Sequence, residues 1–142
     1  MPTLNSIKKN ENAGRNSVNY SPEPKYFNVN FQPIIGKNVS LVNTLLDCVD
    51  QITIGDNVGF GHNVMLLTGT HDYTLKGEER FLSHKWKPIR IENGVWIASG
   101  VIVLSGVTIG ENSVIGAGSV VTKDIPPNEL WCGVPARFKK KI

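Results

Sequence analysis

Three histidines, His62, His71 and His84, are the side chains of this 142-residue chain whose charge changes nearest neutrality. An imidazole can take a proton from a hydroxyl or bind a metal ion, so these residues bound the chemistry available. His71 closes a regular run of sequence. The stretch that follows, DYTLKGEERFLSHKWKP (72–88), obeys no period, and His84 lies within it. Asn43, Asp47 and Asp50 sit in a second irregular stretch earlier in the chain. Cys48 and Cys132 are too few for a disulfide scaffold. With no secretory signal ahead of them, two reduced thiols in a cytoplasmic chain are expected.

The elements that position these groups announce themselves by a beat of six. Residues 91–126 read IENGVW, IASGVI, VLSGVT, IGENSV, IGAGSV, VTKDIP. The first place is always β-branched and aliphatic: Ile91, Ile97, Val103, Ile109, Ile115, Val121. The fifth is small or aliphatic: Val95, Val101, Val107, Ser113, Ser119, Ile125. A helix asks for apolar residues three and four apart, and a half-buried strand asks for strict alternation. A period of six meets neither demand. It suits a chain that turns a corner after each hexad and stacks on itself as a parallel β-helix, with the first side chain of each hexad in the bore. Periodicity alone gives no handedness, and the general rule for parallel crossovers favours the right hand.

One domain is expected from this length, and the 14 glycines and 8 prolines suit a fold rich in corners. A formal net charge of +3, with no basic run interleaved with aromatics, argues against a nucleic-acid binder. The cluster Lys139, Lys140, Lys141 reads either as a solvated tail or as an attractor for a phosphorylated ligand. Residues 1–33 read as a flexible or capping segment, polar and aperiodic to about Ser17. Beyond it Phe27, Val29 and Phe31 alternate, as in a strand laid over the open end of the column. The β-helix itself is expected over 34–142.

The sixes begin at Ile35 and Leu41, but the next hexad would open on Asp47, and one extra residue is needed before the register resumes at Ile54. The break reads either as a bulge or as Asn43, Asp47 or Asp50 turned toward a polar ligand. The stretch 72–88 reads as an extruded arm. Its mixed charges suit solvent, and Phe81 and Trp86 suggest that part of it packs on something.

The order TGTHDYT, KPIRI, GVWIASG, TKDIPP and GVPAR, covering most of the chain from about Ile35, resembles the hexapeptide-repeat acyltransferases. Within them it resembles the maltose/galactoside O-acetyltransferase branch. The resemblance implies an all-β fold, a left-handed parallel β-helix of triangular section with one extruded loop. It implies a homotrimer whose arm reaches over a neighbour's site. It also implies acetyl transfer from acetyl-CoA to a hydroxyl of a saccharide or similar small acceptor. His71 corresponds to the general base, with the backbone amide near Ser99 as the oxyanion donor. Trp96, Ser99, Ala117, Thr122, Lys123 and Arg137 correspond to the CoA-binding set, and Asn43 and Asp47 to the acceptor side.

Three histidines also raise a metal reading, since the gamma-class carbonic anhydrases share this fold and bind zinc through three. The separations of His62, His71 and His84 do not match theirs, and no metal is expected. His62, third in its hexad, reads as a surface residue; His84 lies in the arm, within possible reach of the acceptor. Two rivals stand beside the main reading: an N-acetyltransferase acting on a nucleotide-linked amino sugar, and a β-helix serving only as a structural module.

Overall fold

A computed structural model describes residues 25–27, by backbone alone, and 30–142. The expectations for the segment up to Ser17 and for Val29 lie outside the described residues. In chain order the elements are β1 (Lys25–Phe27), β2 (Ile34–Ile35), β3 (Leu45–Asp47), β4 (Ile52–Ile54), β5 (Gly59–Phe60), β6 (Met65–Leu67) and β7 (Gly69–His71). There follow α1 (Gly77–Leu82), β8 (His84–Trp86), β9 (Ile89–Ile91), β10 (Trp96–Ile97), β11 (Ile102–Val103) and β12 (Thr108–Ile109). The chain closes with β13 (Val114–Ile115), β14 (Val120–Val121), β15 (Glu129–Cys132) and β16 (Arg137–Lys141).

These strands stack into three parallel faces. The first is β1-β3-β6-β11-β14, the second β2-β4-β9-β12, and the third β5-β10-β13-β15, edged by antiparallel β16. The result is a left-handed parallel β-helix. Ile91 pairs with Ile109, Ile97 with Ile115 and Val103 with Val121, so one full turn takes 18 residues, three hexads. Both the first-place and the fifth-place side chains of residues 91–126 are buried, and together they fill the bore. Each fully buried Val or Ile contributes about 1.5–3 kcal/mol.

The corners are made by residues that tolerate a left-handed backbone. Asn38, Asn57, Asn112 and Asn128 share one corner column and Asn43 and Asn63 the next, all with φ between 48° and 59°. Their amides pair along the stack: Asn38 donates to Asn57 at 3.0 Å, and Asn43 donates to Asn63.

Both ends of the stack depart from 18. Ile115 pairs with Trp131, 16 positions on, so the last turn is short. The two fifth-place serines fit it. Ser113 Oγ donates to the Pro126 carbonyl at 2.7 Å and accepts from Glu129 N at 3.2 Å. Ser119 Oγ accepts from Gly133 N at 3.0 Å. Trp131 closes the bore, and Leu130 lies outside it. The alternation puts Glu129 inside instead, where Oε2 accepts from Trp131 Nε1 at 2.8 Å.

At the other end Ile35 pairs with Ile54, 19 positions on, which is the one extra residue foreseen. The break at Asp47 takes the form of a one-residue slip. Leu46, not Asp47, pairs in line with Leu66 and points into the bore, with Val42, Thr44 and Cys48 buried beside it. An unpaired carboxylate in that bore would be very costly, so the chain slips by one and turns Asp47 outward. The covering strand is also earlier and shorter than the Phe27–Phe31 alternation implied. It is β1, paired in parallel on β3, and Phe31 lies beyond it, exposed.

Candidate functional site

Ile54 pairs with Ile91, 37 positions on, because the chain leaves the column after β6 and returns at β9. The excursion is built, not structureless. β7 and β8 form an antiparallel ribbon in which Gly69 faces Trp86, Thr70 faces Lys85 and His71 faces His84. α1 caps the ribbon and has no buried residue. Side-chain hydrogen bonds therefore hold the arm where the bore cannot. Asp72 Oδ2 pairs with Lys85 Nζ at 2.6 Å, and Oδ1 accepts from Thr74 N and Oγ1. The bond from Lys85, followed by those from Thr74, holds the Asp72 carboxyl well below the usual carboxylate range. Ser83 Oγ accepts from Asp72 N at 2.9 Å and donates to the Arg80 carbonyl at 2.7 Å.

That carbonyl orients His71. Its oxygen lies 3.1 Å from His71 Nδ1. A carbonyl only accepts, so Nδ1 carries the proton and, in the neutral ring, Nε2 keeps its lone pair free for another partner. His71 is exposed at the end of β7, and the His84 ring lies 5.0 Å from it, centroid to centroid.

The root of the arm is bolted to the irregular first turn. Thr68 Oγ1 donates to the Asp47 carbonyl at 2.5 Å and accepts from Asp50 N at 3.0 Å. Asp47 Oδ2 accepts from Gly69 N at 3.3 Å. Asp47 thus stands two residues from His71 along the ribbon. Asn43 lies elsewhere, at a corner, beside a shallow cavity of about 110 Å³ that it lines with Leu45, Asn63, Val64 and Met65.

Of the residues matched to a CoA site, Trp96, Ser99 and Ala117 gather at one edge of the column. Trp96 projects outward from β10, 56% exposed, opposite Gly59. Ser99 and Ala117 occupy the following corner on successive turns, both exposed. Here the asparagine column gives way to Gly100 and Gly118, at φ 72° and 70°. A Cβ at Gly118 would meet nothing within 4 Å, so the corner is a bare track open to an elongated ligand. Ser99 is closely seated: its Oγ accepts from His62 N at 3.0 Å, and a Cβ on Gly61 would come within 2.5 Å of its amide nitrogen. His62 itself is exposed at this corner.

Thr122 and Lys123 follow β14 and lie at the opposite edge of that face. Lys123 Nζ sits 5.3 Å from the Trp131 ring centroid, a cation–π contact at the end of the column. Arg137, exposed on β16, donates to its neighbour's carbonyl, Ala136 O, at 3.1 Å. His71 also lies beyond this second edge, since it follows β6 in the same parallel face. Within one copy, then, the imidazole and the Ser99–Ala117 track lie beyond opposite edges of the face that carries β6, β11 and β14. Among the described residues no three His, Cys, Asp or Glu side chains come together to hold a metal ion.

Sequence reasoning missed the carbonyl of Arg80, the hydroxyls of Thr68 and Ser83, and the ribbon itself. Its one legible trace was the alternation in His84-Lys85-Trp86, which places two rings on one side of a strand.

A three-sided parallel β-helix with a bare corner track and a histidine-bearing arm defines a hexapeptide-repeat β-helix protein. The bacterial transferase hexapeptide pattern (six repeats) matches residues 88–123. The chain carries these repeats and is similar to galactoside and maltose O-acetyltransferases. It is 48% identical over 124 residues to the galactoside O-acetyltransferase of Escherichia coli (strain K12), covering 84% of this chain and 59% of that one. A galactoside acetyltransferase solved in complex with coenzyme A superposes with a TM-score of 0.78 at 41% identity, covering 92% of this chain and 62% of the other. A hexapeptide-repeat acetyltransferase of Vibrio cholerae O1 biovar eltor, complexed with acetyl coenzyme A, gives 0.72 at 37%, covering 77% and 60%. The chain spans little more than half the length of the curated relatives it matches.

Proposed function

We propose that this chain is an acetyl-CoA-dependent O-acetyltransferase acting on a hydroxyl of a saccharide or similar small acceptor. The observation that carries the reading is the bond from His71 Nδ1 to the Arg80 carbonyl, which leaves Nε2 as a proton acceptor at an exposed position. In this reading Nε2 takes the proton of the acceptor hydroxyl while its oxygen attacks the thioester carbonyl. A C–O bond forms, the C–S bond breaks, and the imidazolium returns the proton to the departing CoA sulfur. General base catalysis of this kind is worth roughly 10²–10⁴-fold. The Ser99 backbone amide is assigned to the charge that develops on the carbonyl oxygen.

The outer surface of the column suits the donor. Trp96 offers a wall to pantetheine, Ser99 and Ala117 a track without bulk, Thr122 a hydroxyl, and Lys123 and Arg137 cations for phosphates. Asp47 and Asn43 are assigned to the acceptor side. Because the imidazole and the corner track lie at opposite edges of one face, a complete site requires the edge of a second copy. A homotrimer meets that need, with residues 1–33 as a cap and 34–142 as the β-helix that associates. The test is a thiol-release assay with acetyl-CoA over a panel of glycosides, polyols and amino sugars, with mass read by light scattering. Hydroxyl acetylation by a trimer is the expected result. A monomer with full activity would refute the shared site, and transfer confined to amines would refute the acceptor class.

A further inference from the structure

The arm carries a feature that the proposed chemistry leaves unused. The register of the ribbon sets His71, His84 and Trp86 on one side and Thr70 and Lys85 on the other. The three rings form a row: His71 to His84 at 5.0 Å with planes tilted 50°, then His84 to Trp86 at 6.3 Å with planes tilted 36°. Gly69, opposite Trp86, offers no side chain to cover the indole, which is 50% exposed. Lys85 on the other side is taken up by Asp72. The rings therefore connect the proposed base, through His84, to a large bare aromatic surface.

Resting on the saccharide reading above, the geometry points to Trp86 as the residue that selects the acceptor: its indole stacks on the unit attached to the acetylated sugar, so that a glycoside is preferred to the free monosaccharide. The acetylated ring lies beside His84 with its hydroxyl at His71 Nε2, and the attached sugar or aglycone covers Trp86. The chemistry of the row supports a saccharide over an aliphatic chain. Each ring presents an apolar face to the C–H side of a sugar and an N–H edge to its hydroxyls. His84 neighbours both other rings, at 5.0 Å and 6.3 Å, so an acceptor whose hydroxyl meets His71 can lay an attached second unit on the indole.

The test compares initial rates of wild type, Trp86→Ala and Trp86→Phe, each as full-length protein, on a phenyl glycoside and on the corresponding free sugar. For Trp86→Ala we expect KM for the phenyl glycoside to rise roughly threefold to tenfold, the scale of one lost aromatic stack. KM for the free sugar and for acetyl-CoA stays as in wild type, and Trp86→Phe recovers most of the loss. An equal loss on both acceptors, no loss on either, or a changed mass by light scattering would overturn the proposal, the last by showing that Trp86 is covered by a second copy. A wild type that acetylates neither sugar would instead defeat the saccharide reading itself.

Discussion

The stack from β9 to β14 and the arm from β7 to β8 are neighbours built on opposite principles. In the stack every first and fifth side chain is buried, each turn repeats the one before, and the outside is left almost without constraint. In the arm α1 buries nothing, and order comes from a chain of side-chain hydrogen bonds running through Asp72, Ser83 and the Arg80 carbonyl. The division has a chemical sense. A column held by its bore can expose a bare track for a ligand at no cost to its stability. The proposed base must be aimed, and aiming one imidazole calls for directional bonds that a bore of valines and isoleucines cannot supply. The irregular first turn belongs with the arm, because Asp47 and Asp50 tie down Thr68 and Gly69 at its root.

The difference is easiest to break in the column. Val103→Asp places an unpaired carboxylate among fully buried neighbours and should cost more than about 4 kcal/mol. We expect loss of the cooperative melting transition by circular dichroism, whereas a variant that melts like wild type would contradict the inward assignment. Gly61→Ala acts where column and track meet. The new Cβ would press to within 2.5 Å of Ser99 N and 2.6 Å of its Oγ, so backbone must move, at roughly 1–3 kcal/mol. Melting should fall modestly, and acetyl-CoA affinity, read by calorimetry, should fall with it.

In the arm the expected pattern reverses. Ser83→Ala removes the hydroxyl that accepts from Asp72 N and donates to the Arg80 carbonyl. Melting should barely change, because no bore contact is lost, while kcat falls severalfold as His71 loses its aim. A matching fall in melting would show that the arm is part of the stabilising core. The smallest effect concerns Cys48. Burial first, and then the charge of Asp47, push its thiol up from 9.0 to about 11. The folded state therefore keeps the thiol neutral while the unfolded chain ionises it. Stability should be flat below about pH 9 and decline between there and pH 11, as urea titrations at stepped pH would register. Below that range Cys48 should resist alkylation in the folded protein.

The same contrast decides what was legible beforehand. The hexads from Ile91 to Ile125 could be read residue by residue, because a filled bore writes its period into the chain. Where the bore is interrupted the reading stays open. The break at Asp47 reads equally as a bulge or as a polar side chain turned toward a ligand, and nothing marks Glu129 as buried, since a polar residue with an internal partner looks the same in sequence as one facing water. The aim of His71 left no trace at all: its partner is a backbone carbonyl, and any residue at position 80 would supply one. Which residues stand at the two edges of a face was implicit in the hexad count, but the consequence, that one copy separates Ser99 from His71, needed the register of the strands.

The measurement closest to the central claim is single-turnover acetyl transfer by His71→Ala, with acetyl-CoA binding followed in parallel. We predict a rate lowered roughly 10²–10⁴-fold with melting and acetyl-CoA affinity retained. Turnover equal to wild type would show that the imidazole held by the Arg80 carbonyl is not the base.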